Sequence, residues 1–286
     1  MKLPAFEYVS PATLAEAVAL LAASGGSAKA IAGGQSLIPT MAFRLATPSL
    51  LVDLRKLPGL DRIAIDKDGV RLGAKVRWRD IEDDARLKTA HPLLAAAIAH
   101  VGHYQIRNRG TVGGSLAHAD PTAEMPGIAV TCDAELTLTG VSGTRKVPAA
   151  EFFLGPLSTV LADDELIVEV RLPSWPASRR WAFEEFAQRR GDFAMAGVAV
   201  FYDVDSSGLA ANAHVGVIGA CNRPHRLAQA EAALNGKALD EMAILAAAKA
   251  AAAAVDPPGD LHASAEYRRA LVETLLERAL KRTLAQ

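Results

Sequence analysis

Ala30-Ile31-Ala32-Gly33-Gly34-Gln35-Ser36-Leu37-Ile38-Pro39 passes from an apolar strand-like stretch through two bare glycines into a short helix with proline tolerated in its first turn. A second pair of glycines stands in Thr111-Val112-Gly113-Gly114-Ser115. Lacking a Cβ, glycine enters positive-φ conformations at low cost, lets a ligand come up against the main chain, and can aim successive N–H groups at one anion. Neighbouring Ser and Thr hydroxyls add neutral donors. Taken singly, either pair reads equally well as an ordinary tight turn. Taken together, they could grip the two phosphates of one dinucleotide near a helix N-terminus, if the fold joins them.

Other signatures are missing from these stretches. Neither contains G-x-G-x-x-G, and no G-x-x-x-x-G-K-[ST] is present, which argues against a Rossmann enzyme and an ATPase. Ile38 and Ala117 stand where the last glycine of G-x-S-x-G belongs, so Ser36 and Ser115 read as hydrogen-bond donors rather than nucleophiles. Arg107 and Arg109, just before the second pair, read either as a solvated loop or as phosphate contacts.

The 286 residues are 50% hydrophobic, with 31 basic against 32 acidic side chains. That balance gives no electrostatic footprint for nucleic acid or an anionic membrane, and the length fits about two domains. Arg179-Arg180 and Arg189-Arg190 read as surface or partner-facing charge. Met1 to Glu7 lacks a sustained apolar core, and the alanine-rich run Ala246 to Val255 contains Lys249 and is too short to span a bilayer, so a cytoplasmic chain is expected. Cys132 and Cys221 are isolated, read as small buried residues, and cannot supply the four ligands of an iron–sulfur cluster. His100 and His103 read as capping or packing groups, and no metal site is expected. His118 and Asp120 read as organisers of the loop after the second glycine pair.

Working outward, Ser10 reads as an N-cap with Pro11 at the first helical position, Leu14, Ala17, Val18 and Leu21 as the apolar face, and Gly25-Gly26 as the helix end. This predicts a small α/β lobe to about residue 55. Val70-Arg71-Leu72, Glu135 to Val141 and Leu166 to Leu172 predict strands, and Leu93 to Val101 a buried helix. Pro173-Ser174-Trp175-Pro176 is the clearest break and places a domain boundary there. Beyond it, Trp181 to Phe186, Ala194 to Val204 and Ala211 to Ile218 read as strands. Helices follow, the last carrying Tyr267, Leu271, Leu275 and Ala279 as a core stripe.

The chain resembles the FAD-binding medium subunits of the molybdenum hydroxylases, of the carbon monoxide dehydrogenase and xanthine dehydrogenase type. The likeness runs through Phe6-Glu7-Tyr8, Ser10-Pro11, both glycine pairs, Arg44-Leu45-Ala46-Thr47-Pro48, Leu51-Val52-Asp53-Leu54, Gly191-Asp192-Phe193 and Ser264-Ala265-Glu266-Tyr267-Arg268-Arg269. It therefore covers essentially the whole chain. It implies an α+β fold: a two-lobed FAD-binding domain of the vanillyl-alcohol-oxidase (PCMH) type over residues 1–175, with lobes of about 1–55 and 56–175. A smaller C-terminal domain of antiparallel sheet and helices follows over 176–286.

By the same resemblance, Ala32, Gly33, Gly34, Gln35, Ser36 and Leu37, with Thr111, Val112, Gly113, Gly114 and Ser115, line the FAD diphosphate. Glu124, Ile167 and Phe193 lie along the rest of the cofactor, and no side chain is catalytic. Four positions depart from the usual residues: Gln35 stands for a histidine, Ser115 for an asparagine, Glu124 for an aspartate and Phe193 for a tyrosine. Gln35 and Ser115 keep hydrogen-bonding capacity, so FAD binding is expected to survive.

The implied role is electron transfer from two [2Fe–2S] clusters of a small subunit, fed by a molybdenum-cofactor large subunit, through FAD to an external acceptor. The implied assembly is a dimer of heterotrimers. Substrate and acceptor stay open. The alternatives are a self-contained flavin oxidoreductase and a nucleotide-binding assembly module without redox chemistry. Gly33→Val and Gly114→Val are both expected to abolish FAD retention.

Overall fold

Short apolar strands alternating with helices build the first lobe of the computed structural model, which describes residues 2–286. Strands β1 (Glu7–Val9), β2 (Ala28–Ile31) and β3 (Leu50–Asp53) form a parallel sheet in the order β1-β3-β2, connected by helices α1 (Leu14–Ala23) and α2 (Leu37–Ala42). Ala17, Val18 and Leu21 of α1 pack on Ala28 and Val52, with Leu57, Leu60 and Leu166 closing the core.

The start of α1 differs from the sequence reading. Thr13, not Ser10, caps it: its hydroxyl accepts the Glu16 N–H (3.2 Å), while Glu16 Oε2 accepts the Ala12 N–H (2.9 Å). The Thr13-x-x-Glu16 set satisfies two main-chain donors, which the Ser10-Pro11 pair does not.

The second lobe is an antiparallel sheet in the order β4-β5-β10-β6-β7. Its strands are β4 (Ile63–Asp66), β5 (Gly69–Gly73), β6 (Glu135–Gly140), β7 (Gly143–Pro148) and β10 (Leu166–Pro173), with a small hairpin of β8 (Phe153–Gly155) and β9 (Ser158–Thr159). Between β5 and β6 come α3 (Trp78–Asp83), α4 (Leu87–Ala90), α5 (Pro92–Ile98), α6 (Tyr104–Arg107), α7 (Val112–His118) and α8 (Glu124–Thr131), and α9 (Ala149–Phe152) follows β7. The strands expected around Val70, Glu135 and Leu166 and the buried helix from Leu93 are all present, though the helix stops at Ile98.

Beyond Pro173, β11 (Arg180–Ala187), β12 (Ala194–Val204) and β13 (Ala210–Ile218) form a three-stranded antiparallel sheet. Helices α10 (Ala228–Leu234), α11 (Glu241–Ala254) and α12 (Ala265–Thr283) cover one face of it. The period-2 alternation of a strand explains why β12 is apolar from Ala194 to Phe201: Val198, Val200 and Tyr202 face these helices, whereas Ala199 and Phe201 face the second-lobe core. The sheet is thus a middle layer, sealed on both sides.

Two readings change accordingly. Arg179 is not surface charge: it lies over the rings of Phe201 (4.4 Å) and Trp175 (5.0 Å) and pairs with Asp203, while Arg180 donates to the Thr283 carbonyl (2.8 Å). Trp175 also meets His91 (4.6 Å), so the Pro173–Pro176 break is nailed into the interface rather than free. In the last helix Leu271, Leu275 and Ala279 are core, but Tyr267 is exposed and buried Arg268 takes the place beside it. No helix among the described residues is long and apolar enough to cross a membrane.

Candidate functional site

The first glycine pair, about eighty residues before the second in sequence, touches the segment that leads into it. A Cβ built on Gly33 would overlap the Arg109 carbonyl oxygen and stand 3.0 Å from Gly110 Cα, immediately before Thr111. Only glycine lets the two segments approach this closely. Gly110 is seated in turn on Trp78, whose Nε1 would lie 2.7 Å from a Cβ there.

The first pair forms an open loop between β2 and α2. Gly34 sits at φ +71°, the left-handed region that glycine tolerates, and its carbonyl accepts the Ile38 N–H that starts α2. Gln35 Nε2 folds back onto the Gly33 carbonyl (3.0 Å). Among the described residues, the main-chain N–H groups of Gly33, Gly34, Gln35 and Ser36 find no acceptor. Residues Ala32 to Leu37 are all half-buried, so this loop remains partly accessible. Four successive free donors without a carboxylate among them suit an anion.

The second pair is not a turn. Gly113 and Gly114 lie in the first turn of α7, neither with positive φ, and Thr111 is the N-cap whose hydroxyl accepts the Gly114 N–H (3.2 Å). The N–H groups of Val112 and Gly113 are taken by the carbonyls of Val76 (2.9 Å) and Ala74 (2.8 Å). Gly113 is small because a Cβ would come within 2.6 Å of Ala74 Cβ. What this element presents is exposed Gly114 with the Ser115 side chain half-buried beside it.

Arg107 serves neither expected role. It pairs with Glu82 (2.9 Å) and donates to the carbonyls of Val101 and Gly102, holding the approach to the second pair; Arg109 stays exposed. Asp120 organises its loop as expected, accepting the Thr122 N–H and hydroxyl.

The remaining expected residues lie on α8, on β10 and in the loop between β11 and β12. Ile167 is buried in the second-lobe core, and its neighbour Val168 accepts the N–H of Ala74, the residue beneath Gly113. Phe193 is 72% exposed in the loop between β11 and β12. That loop rests on the approach to the second pair: a Cβ on Gly191 would lie 2.6 Å from His103 Nδ1 and 2.7 Å from the Gly102 carbonyl.

Glu124 opens α8 and is only 7% exposed. Burial, with the Glu185 and Asp120 carboxylates near it, pushes its carboxyl up to about 8. The Glu185 side chain is itself buried, with Oε1 3.6 Å from His100 Nδ1 and Oε2 unpartnered.

Sequence reasoning missed the support beneath the first loop. Asp53 ends β3 beside Ile31; burial works against its charge, yet hydrogen bonds from Tyr8 and from the Arg55 N–H and Nε hold its carboxyl below the usual range. Trp78, Ala74 and Glu185 were also missed, since contacts across the fold leave no local pattern. Both thiols are buried, which raises them and pushes Cys221 up to about 12. Among the described residues no cluster of His, Cys, Asp and Glu is arranged to hold a metal ion.

Comparison with known proteins shows the family. Residues 4–175 match the FAD binding domain in molybdopterin dehydrogenase, and residues 181–283 match the CO dehydrogenase flavoprotein C-terminal domain. The chain is 42% identical to the nicotine 6-hydroxylase medium subunit of Paenarthrobacter nicotinovorans, covering 98% of each. It is 40% identical to the 6-hydroxypseudooxynicotine dehydrogenase complex subunit alpha of the same organism, covering 99% of this chain and 96% of the relative. A solved carbon monoxide dehydrogenase from Hydrogenophaga pseudoflava superposes with a TM-score of 0.96 at 38% identity, over 100% of this chain and 99% of that one. The chain with the joined glycine elements therefore belongs to the FAD-binding medium subunits of the molybdenum hydroxylases, and is an oxidoreductase subunit of the carbon monoxide dehydrogenase and xanthine dehydrogenase type.

Proposed function

We propose that this chain is the electron-transfer subunit of a molybdenum hydroxylase, placed between a small iron–sulfur subunit and an external acceptor. The observation that carries the reading is the contact of Gly33 with Arg109-Gly110, which sets four free N–H donors beside the second glycine element. FAD, when bound, supplies a redox centre able to take electrons from [2Fe–2S] clusters and release them.

The chain's part is placement. Ala32 to Leu37 form the donor side of a diphosphate cradle, with the N–H groups of Gly33 to Ser36 replacing water around the anion. Thr111 to Ser115 form its floor, offering close approach and the Ser115 hydroxyl. Glu124, Ile167 and Phe193 lie farther along, toward the boundary between a FAD-binding domain (1–175) and a C-terminal domain (176–286). No residue here acts as nucleophile or general base. The molybdenum centre, the clusters and the substrate pocket belong to partner chains in a dimer of heterotrimers in the cytoplasm. Relatives named for nicotine, 6-hydroxypseudooxynicotine and carbon monoxide match along nearly the whole chain. That breadth fits a substrate chosen elsewhere.

The test is to purify the chain with and without its partner subunits and to strip FAD from the complex. Substrate should still reduce the clusters of the stripped complex, while transfer to the acceptor stops. Full substrate oxidation by the isolated chain would instead make it a self-contained oxidoreductase, and a chain that never retains flavin would leave only an assembly role.

A further inference from the structure

Arg268, in the first turns of α12, is 3% exposed. Its Nη1 donates to the carbonyls of Met195 (2.5 Å) and Gly219 (2.9 Å), its Nη2 donates to Asp260 Oδ2 (2.7 Å), and its Nε has no acceptor among the described residues. A buried guanidinium with one donor unmet is a costly way to fill a helix–sheet contact; an apolar side chain would do that better. Its value lies in what the fork fixes.

Both carbonyls are junctions. Met195 is two residues past Phe193, where the exposed loop rejoins β12. Gly219 follows β13 at φ +72°; a Cβ there would lie 2.5 Å from the Ala194 carbonyl oxygen, and its N–H donates to the Pro121 carbonyl (2.9 Å) in the segment leaving α7. One guanidinium therefore ties the base of the Phe193 loop to the segment that follows the second glycine element. At the loop's other end Phe186 meets the neighbouring Tyr267 ring edge-on at 6.3 Å. The start of α12 braces both ends.

We propose that Arg268 is a positioning residue for the flavin site: by bridging Met195 and Gly219 it sets where the Gly191-Asp192-Phe193 loop stands over the second glycine element, and so how Phe193 covers the cofactor. This rests on the reading that Phe193 lies beside the flavin. Lysine cannot reproduce the fork, because its donors radiate from a single point.

The experiment measures iodide quenching of FAD fluorescence in the FAD-loaded full chain, comparing Phe193→Ala, Arg268→Lys, Asp260→Asn and Arg269→Gln. The first three should retain FAD yet raise the quenching constant, about threefold for Phe193→Ala and Arg268→Lys and less for Asp260→Asn. Arg269→Gln, which loses an exposed pair with Asp256 one position away, should match the parent. Unchanged quenching in folded Arg268→Lys, beside a rise in Phe193→Ala, overturns the proposal and leaves the loop reading intact. Unchanged quenching in Phe193→Ala removes the loop reading and the proposal with it. If Arg268→Lys does not fold, Asp260→Asn decides by the same criterion.

Discussion

Gly33-Gly34 and Gly113-Gly114 are the same dipeptide in opposite hydrogen-bonding states. Around the first pair, four consecutive N–H groups have no partner among the described residues; around the second, the N–H groups of Val112, Gly113 and Gly114 are all spoken for by Val76, Ala74 and Thr111. A loop held open by positive φ at Gly34 can turn its donors outward. A helix start capped by threonine and paired to a neighbouring strand end cannot. In the proposed site the two would differ in role, the first offering free donors to the anion and the second a closely packed surface beside them. Small size serves packing at Gly33 and Gly113 and conformation at Gly34.

Substitutions can break or sharpen this contrast. The largest effect is expected for Gly33→Val, whose side chain would drive into the Arg109 carbonyl and part the two elements. Overpacking of this kind costs about 3 kcal/mol, on the order of a hundredfold in FAD affinity by titration. Affinity equal to the parent's would show that the contact is incidental. Gly34→Ala keeps the contact but forces alanine into the left-handed region, at about 1–2 kcal/mol; FAD should bind on the order of tenfold more weakly.

The closed side carries its own signature in pH. Glu124 binds its proton in the fold up to about 8, well above its ordinary range, so the stability it lends is complete in acid and is lost as pH rises through about 8. Glu124→Gln should therefore melt higher than the parent at pH 9, by about 1 kcal/mol or more, and show no such advantage at pH 5. An equal gain at both pH values would contradict the buried proton.

The smallest effect belongs to Gly114→Ala. Position 114 is exposed and helical, and a Cβ would sit 2.8 Å from Thr111 Oγ1. Disturbing that cap costs about 1 kcal/mol, which the better helix propensity of alanine offsets by about as much. FAD affinity should barely move. Together with Gly33→Val, this substitution sets a steep gradient between the two positions.

Three strands of the five-stranded sheet and all three of the sheet beyond Pro173 were legible because their apolar runs are bounded by Gly, Pro and Asp. The pairing of the glycine elements was legible only as a condition, since nothing local says that Gly33 meets Arg109. Which N–H groups are free could not be read at all: it depends on Ala74 and Val76, which reach the second pair across the fold. Arg107, Arg179 and Arg268 were opaque for the same reason. A charged residue in sequence looks solvated until the carbonyls and rings around it are known. The helix start was misplaced because Ser10-Pro11 and Thr13-x-x-Glu16 are both good caps, and the choice rests on how many donors each satisfies.

The most direct test of the contrast is amide hydrogen exchange of the chain with and without FAD, resolved at residues 33–36 and 112–114. The free N–H groups of Gly33, Gly34, Gln35 and Ser36 should gain strong protection when FAD binds, while Val112, Gly113 and Gly114, already bonded, should change little. Protection appearing at 112–114 with none at 33–36 would contradict the account.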